Sequence, residues 1–434
     1  MGPSLSQWER VQLKEGGRLA AAIAVLDDMA ERHRPVRMAL KAWGDGARYA
    51  GAKDRAAVSG LALDALRKSR SLAWAMGAET NRARVLAVAR FAWDWPLTGV
   101  AAAAAEDHGP GALTETEAAR LAEPLSSDGA SEAVRGDFPD WLAPHMTRVF
   151  ADRTAAEGAA LAARAPIDIR VNTLKTDPAR ALKALVPFGA RPAGILETAI
   201  RVDAPAASER AAPVEALPEF AKGWFEIQDL GSQIAAALAG DIAHRQVLDI
   251  CAGGGGKTLA LAAAMANTGQ LFAYDADGRR LADTQRRAAR AGVRNLQVRS
   301  PFRADALTDL TGRMDLVFAD APCTGSGVWR RHPDAKWRLS PEQLARRMAE
   351  QDAVLDAAAP YVKSGGRLIY VTCSLFAEEN EDRVAAFLAR APGFAAEPAK
   401  GVVDDHLTGD GFLRLTPHMV GTDGFFAAVL RRNG

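Results

Sequence analysis

The sequence predicts an α/β protein: a doubly wound parallel sheet, preceded by an all-helical domain and a small α+β segment. Three observations predict it. Short apolar runs at 247–250, 271–274, 296–298, 316–319 and 368–371 alternate with helical stretches, as in a parallel sheet with helices on both faces. Residues 1–122 carry apolar side chains at helical spacing with no competing strand alternation. Between the two regions, IDIRVNTLK at 167–175 alternates like a strand.

In the helical region Leu19, Ile23, Leu26 and Met29 recur on one face. Asp54 is placed to cap a helix whose apolar side is Val58, Leu61, Ala62, Ala65 and Leu66, and Asn81 to cap another with Val85, Val88, Ala89 and Ala92. Residues 123–138 are small, polar and poor in large apolar groups, and read as a linker. A mixed segment follows at 139–240, and the α/β domain occupies 241–434. The apolar runs at 412–415 and 425–430 predict a closing antiparallel hairpin.

Length and composition exclude several classes. A chain of 434 residues allows two or three domains. The formal charge of +1 excludes a polybasic coat, so phosphate binding must be local. Eight arginines lie between Arg279 and Arg303, and Arg330, Arg331, His332, Lys336 and Arg338 form a second cluster. Either reads equally as a solvated helix face. Three widely spaced cysteines do not make a disulfide framework, and without CxxC or HxxxH pairs no metal site is expected. A reducing cytoplasm fits. No apolar signal core or 18-residue apolar run is present, so no membrane association is expected.

The segment VLDICAGGGGKTLALAAAMA at 247–266 reads as strand, glycine loop and helix. Glycines let a ligand approach amide N–H groups at a helix start. The ending GKT matches a phosphate-binding loop, G-x-x-x-x-G-K-[ST], but the first required glycine falls on Cys251. The competing reading is a nucleoside cofactor whose ribose meets an acid at the next strand end, where Asp275 lies. The loop by itself does not choose the cofactor.

All three cysteines sit at predicted strand ends on the ligand side: Cys251 after the first strand, Cys323 after MDLVFADAP and Cys373 after RLIYVT. A lone cysteine is usually a small buried hydrophobe. Three at one edge, with Asp249, Asp275 and Asp320, point to thiolate nucleophilic chemistry.

At these residues the chain resembles the Sun/Fmu (RsmB-type) branch of the bacterial RNA cytosine-5 methyltransferases, within the Nop2/Sun family. DAPC at 320–323 and TCS at 372–374 resemble its two cysteine motifs, and CAGGGGKT at 251–258 its cofactor loop, usually written CAAPGGKT. RVNTLK at 170–175, IQDLGSQ at 227–233 and TDGFFAAVLRR at 422–432 resemble further family motifs. The region before 139 is similar, through weaker motifs, to the NusB-type RNA-binding domain of ribosomal members. The resemblance implies a Rossmann-like methyltransferase domain using S-adenosylmethionine. It implies that Cys373 is the nucleophile, that Cys323 assists product release, and that Asp275 and Asp320 contact the cofactor or the target base, with Asp320 also counted as catalytic. Cys251, Ala252, Gly253, Gly254, Gly255, Gly256 and Lys257 would line the cofactor. The chemistry fits two thiols and a carboxylate, because cytosine carbon 5 becomes nucleophilic only after a thiolate adds at carbon 6.

Two departures stand out. Gly253 and Gly254 replace the usual Ala-Pro and predict a looser loop. After the third strand, where the family commonly carries an acid near the adenine, this chain has Ser300, Pro301 and Phe302, with Asp305 displaced. Arg170, Lys175, Arg330, Arg331 and Lys336 are expected to line the RNA entrance. The expected substrate is 16S ribosomal RNA, single-stranded or locally opened, met by a monomer. A tRNA cytosine-5 methyltransferase and a non-catalytic ribosome assembly factor are the alternatives. A nucleotide hydrolase is disfavoured by Cys251, and a DNA cytosine methyltransferase by the second cysteine motif.

Overall fold

A computed structural model describes residues 13–207, 212–303 and 305–434; the first twelve residues of the expected helical domain lie outside them. The described residues form two compact units. One comprises the chain up to Ala163, residues 205–207 and Trp329–Arg338; the other comprises Arg164–Ala204, 212–328 and Leu339–Gly434.

The first unit is helical. Its helices include Glu15–Glu31, Val36–Gly46, Ala52–Arg67, Ser69–Met76, Asn81–Ala87 and Leu97–Ala104. They close on a core that includes Leu19, Leu26, Val58, Leu61 and Leu86, the stripes expected from the spacing. The caps differ from expectation. Asp54 lies in the first turn, where its carboxylate accepts the Gly51 N–H at 3.0 Å and holds Arg18 at 2.9 Å. An acid at the third helical position reaches back to the cap as readily as it caps. Thr80, not Asn81, caps the later helix, its hydroxyl accepting the Ala83 N–H at 3.1 Å.

The expected linker at 123–138 belongs to this unit. Asp137 accepts the backbone N–H groups of Arg70 and Ser71 at 3.0 and 2.9 Å, and so caps the helix Ser69–Met76. Phe138 is fully buried against Gly158. Trp329–Arg338 also folds here. Lys336 Nζ donates to the Arg67 carbonyl at 2.8 Å and Trp337 Nε1 to the Leu66 carbonyl at 2.7 Å. These bonds satisfy carbonyls that the end of the helix Ala52–Arg67 leaves unpaired.

The second unit holds two sheets. In the smaller, β1 (Ile167–Val171), β2 (Arg191–Pro192), β3 (Ala199–Val202) and β4 (Phe225–Ile227) run in the order β2-β3-β1-β4, all antiparallel. The larger contains β5 (Gln246–Asp249), β6 (Gln270–Tyr274), β7 (Leu296–Arg299), β8 (Met314–Asp320), β9 (Val362–Thr372), β10 (Phe394–Glu397), β11 (Leu413–Leu415) and β12 (Phe425–Arg432). Its order is β10-β12-β9-β8-β5-β6-β7, with β11 on β12. Strands β5 to β9 are parallel, and β12 runs antiparallel beside β9. The expected closing hairpin is present as β11 and β12.

Both sheet faces are covered. Leu316, Phe318 and Ile369 enter one core, and Val317, Ala319, Leu368 and Tyr370 the other. This explains why the strands read as continuous apolar runs. Strand β5 lies between β8 and β6. The chain therefore leaves β5 in opposite directions on its two sides, and a crevice opens at the carboxyl ends of β5 and β8. Among the described residues no helix is long and apolar enough to cross a membrane.

Phe138→Ala is expected to lower stability by about 3–5 kcal/mol in denaturant unfolding, the cost of emptying a buried aromatic site. A change under about 0.5 kcal/mol would return residue 138 to a solvated linker.

Candidate active site

The crevice is built from strand ends. Asp249 closes β5, and the chain turns at once through Cys251 to Gly256 into the helix Gly256–Ala264. Gly253 and Gly255 take positive φ values of 54° and 85°. An added Cβ at Gly255 would stand 2.9 Å from Thr284 Oγ1, so only glycine fits there. The loop is less loose than its sequence predicts. Asp275 accepts the Gly253 N–H at 2.8 Å, Thr284 Oγ1 donates to the Gly253 carbonyl at 2.8 Å, and Arg287 donates to the Gly254 carbonyl at 2.5 Å. These three side chains supply the rigidity that proline would have supplied.

The carboxylates divide the work. Asp275, buried after β6, also accepts the Asp277 N–H at 2.8 Å on its other oxygen, which keeps a lone pair for another donor, while the oxygen bound to Gly253 also meets Arg280 at 3.4 Å. Asp249 is buried, and burial pushes its carboxyl up to about 7. One of its oxygens accepts the Thr258 hydroxyl at 2.6 Å; the other is buried with no protein partner. Lys257 Nζ donates to Asp320 at 2.8 Å and lies over the Phe425 ring at 5.1 Å. Burial works against its ammonium, but Asp320, with Cys373 and Asp249 also contributing, outweighs it and raises the lysine's pKa.

Cys323 and Cys373 meet at this edge with their Sγ atoms 3.3 Å apart. Sheet register brings them together, since Asp320 of β8 stands opposite Val371 of β9 and each chain continues only a few residues to its thiol. The two loops are then tied. The Gly327 N–H donates to the Cys373 carbonyl at 2.9 Å, and the Gly424 N–H to the Gly327 carbonyl at 2.8 Å. A Cβ on Gly424 would fall 2.6 Å from the Gly327 Cα, which explains the glycine in TDGFF. Both thiols are half-buried. Cys251 differs: burial and the three neighbouring aspartates push its thiol well up, which keeps it inert.

The residues fit a nucleoside carrying an amine. The unpartnered Asp249 oxygen suits a cationic amino group and Asp275 suits ribose hydroxyls. At Gly254 and Gly256 an added Cβ would meet only the polar tips of Arg287 and Gln228, at 3.6 and 3.9 Å. Comparison with known proteins decides the class. The profile of the family described as 16S rRNA methyltransferase RsmB/F matches residues 237–431. A ribosomal RNA small subunit methyltransferase B from Citrobacter koseri is 32% identical over 302 residues, covering 68% of this chain and 69% of that protein. The chain belongs to the RsmB/F methyltransferase family. A probable ribosomal RNA small subunit methyltransferase B from Synechocystis is 30% identical over 315 residues, 71% of this chain and 70% of that protein. A solved structure described as PH0851 shares the fold, with a TM-score of 0.73 and 24% identity over 97% of this chain and 99% of that one. A methyltransferase homologue from Pyrococcus horikoshii follows, with a TM-score of 0.59 and 26% identity over 69% and 97%. As a member of this family the protein is an S-adenosylmethionine-dependent rRNA methyltransferase.

The structure gathers Cys373, Cys323, Asp320, Lys257, Asp275 and the loop from Cys251 to Gly256 around one crevice. It does not gather the expected RNA contacts. Arg170 is buried in the small sheet, donating to Gln228 at 2.7 Å. Arg330 and Lys336 are buried in the helical unit, and Arg331 is half-buried there. Arg170, Arg330 and Lys336 are therefore corrected from phosphate contacts to structural residues; only Lys175 is exposed. After β7, Asp305 forms an exposed pair with Arg303 at 3.2 Å, and Phe302 is 84% exposed. Sequence reasoning missed Thr284 and Arg287, which pin the loop, and Glu379, which lies beneath the thiols. Polar residues on amphipathic helices give no sign of what they reach.

Asp275→Ala should weaken cofactor binding by about 1–3 kcal/mol, because a ribose hydroxyl and the Gly253 N–H lose their acceptor. Unchanged affinity by calorimetry would move the ribose contact to another residue.

Proposed function

We propose that the protein methylates carbon 5 of a cytosine in 16S ribosomal RNA through a covalent cysteine adduct. The observation that carries this is the pair of thiols 3.3 Å apart at the strand edge, beside the Lys257–Asp320 ion pair. Methyl transfer to an oxygen or an exocyclic nitrogen needs no thiol, whereas carbon 5 must first be made electron-rich.

S-adenosylmethionine, when bound, supplies a methyl group on an electron-poor sulfonium. Asp249, Asp275 and the glycine loop would hold it. The Cys373 thiolate adds to carbon 6, the carbon 5–carbon 6 pair is freed to carbon 5, and carbon 5 takes the methyl group as the donor's methyl–sulfur bond breaks and its pair stays on the departing thioether. The carbon 5 proton then passes to a base, for which Asp320 is the carboxylate at hand. Its bonding pair re-forms the double bond, the carbon–sulfur bond breaks, and its pair returns to Cys373. Cys323, beside the departing sulfur, assists that release.

The target base must leave its stack, which costs a few kcal/mol and is offset by phosphate contacts. With three of the expected cations buried, the path we assign runs over Lys175 and the exposed face of the helix Gly278–Ala291. There Arg279 and Arg286 make only solvated pairs with Asp277 and Asp283, worth little and readily exchanged for phosphate. The relatives' names favour small-subunit rRNA over tRNA as substrate, and two intact cysteine motifs favour an enzyme over an assembly factor. Action as a monomer in the cytoplasm belongs to the same proposal.

Cys373→Ala should abolish both methylation and the covalent complex with 5-fluorocytosine RNA, whereas Cys323→Ala should leave a denaturation-resistant protein–RNA complex. Full activity of the first variant, or a free inactive second variant on a denaturing gel, would reverse these roles. Removing the charges of Lys175, Arg279 and Arg286 together should lower the slope of log affinity against log salt by about 2 for single-stranded RNA. An unaltered slope would place the RNA elsewhere.

A further inference from the structure

The large sheet carries a second concavity, at the end away from the thiols. A cavity of about 310 Å³ opens at the amino ends of β5, β8 and β9. Ile242 and Leu316 line its apolar side, and Arg245, Lys363, Arg367 and Arg431 bring four cations to it. Arg245 directly precedes β5, Lys363 and Arg367 lie in β9, and Arg431 lies in β12. The same parallel register that gathers acids and thiols at one edge gathers cations at the other.

The carboxylates in the cavity do not match them. Asp315 holds Lys363 at 2.6 Å and Arg245 at 3.7 Å, and also accepts the Gln246 N–H at 2.8 Å. Asp241 accepts the Ala243 N–H at 3.1 Å. Arg431 is paired with Glu397 and donates to the Gly365 carbonyl at 2.8 Å. Arg367 has no ion pair among the described residues; its guanidinium donates to the Ala239 carbonyl at 2.6 Å. It is half-buried, and burial, then the like charge of Arg431, pushes its pKa down.

Two features of the backbone hold this arrangement in place at a cost. Arg367 and Arg431 stand directly opposite each other across β9 and β12, and like charges so placed are destabilising. Beside them β9 bulges. Met314 pairs with Val362 and Leu316 with Arg367, so two steps along β8 correspond to five along β9. The extra residues include Gly365, whose φ is 69° and where an added Cβ would meet no atom within 4 Å. Bulges at the ends of a sheet re-aim side chains. Here the bulge brings Lys363 and the arginine pair to one hollow. An anion between the guanidinium groups would turn their repulsion into attraction.

We propose that this cavity is a phosphate-binding site, gripped by the Arg367 guanidinium, and that the phosphate it takes is one of the RNA backbone away from the target base. A guanidinium presents paired N–H donors that match two phosphate oxygens. S-adenosylmethionine carries no phosphate, so the site is not the cofactor's. Ten residues separate Lys363 from Cys373, so the cavity lies at most about 33 Å from the thiols along β9. It would therefore hold a flank of the substrate while the target base enters the crevice. The inference rests on RNA as the substrate and not on the cysteine-adduct reading. Free phosphate offers the same chemistry, and the experiment separates the two sources.

Arg367→Gln removes the unpaired charge and leaves the crevice untouched. Two readouts need neither methyl donor nor thiol, so they stand or fall apart from the adduct reading. One is the melting temperature of the RNA-free protein in millimolar sodium phosphate against sodium chloride of equal ionic strength. Phosphate should raise it by about 2 °C or more in wild type, as a ligand of the folded state does, and not in Arg367→Gln. The other is the slope of log affinity against log salt for a single-stranded RNA of about twenty nucleotides, which the substitution should lower by about 0.7, the share of one phosphate contact. A lowered slope, with or without the first effect, supports the backbone phosphate. A lost phosphate effect with an unaltered slope supports the cavity with free phosphate as its occupant. The proposal is overturned if Arg367→Gln changes neither readout. If that variant does not fold, Lys363→Ala is read in the same way.

Discussion

Parallel register is the constraint on which the rest of the structure depends. Strands β5, β6, β8 and β9 run the same way, so four chain segments turn at one edge of the sheet. Asp249, Asp275, Asp320 and Cys373 are spread along 124 residues of the chain, yet each needs only its place at a strand end to arrive. The reversal at β5 opens the crevice that such an edge would otherwise lack. Interlocking loops then fix the angstroms. Gly327 and Gly424 touch through backbone alone, and Thr284 and Arg287 hold a loop of four glycines that could not hold itself.

Charge placement turns that edge into a reactive site. Three cysteines lie close together, but their surroundings differ. Cys251 sits among aspartates, Cys373 near Lys257, and Cys323 over Glu379. Burial among aspartates holds the proton on Cys251. In the proposed reading Asp249 would accept the amine of the methyl donor and Asp275 its ribose, at the same edge that carries the two thiols.

Much of this was legible in the sequence where a physical period or a forced chemistry governs. Five parallel strands were readable because burial on both faces makes them apolar runs. Strand β9 begins earlier than its apolar core, since Lys363, Ser364, Gly365 and Gly366 read as a turn while their backbone belongs to the sheet. Strand β10 is an edge strand of small residues and gives no pattern. The stretch 123–138 looked like a linker because one acid and one phenylalanine carry its attachment. Lys336 reads as a phosphate contact because a cluster of cations does not reveal that a helix carbonyl awaits it. Glu379, five residues beyond the second cysteine motif, has no sequence signal, because its meaning lies in Thr324, Gln351 and Ser374 brought to it by the fold.

The central claim is that sheet and charge together make Cys373, and not Cys323, the nucleophile toward a cytosine. Peptide mapping of the covalent complex between wild-type protein and 5-fluorocytosine RNA tests it most directly. The nucleotide should be recovered on the peptide carrying Cys373. Recovery on the peptide carrying Cys323, or on that carrying Cys251, would contradict it.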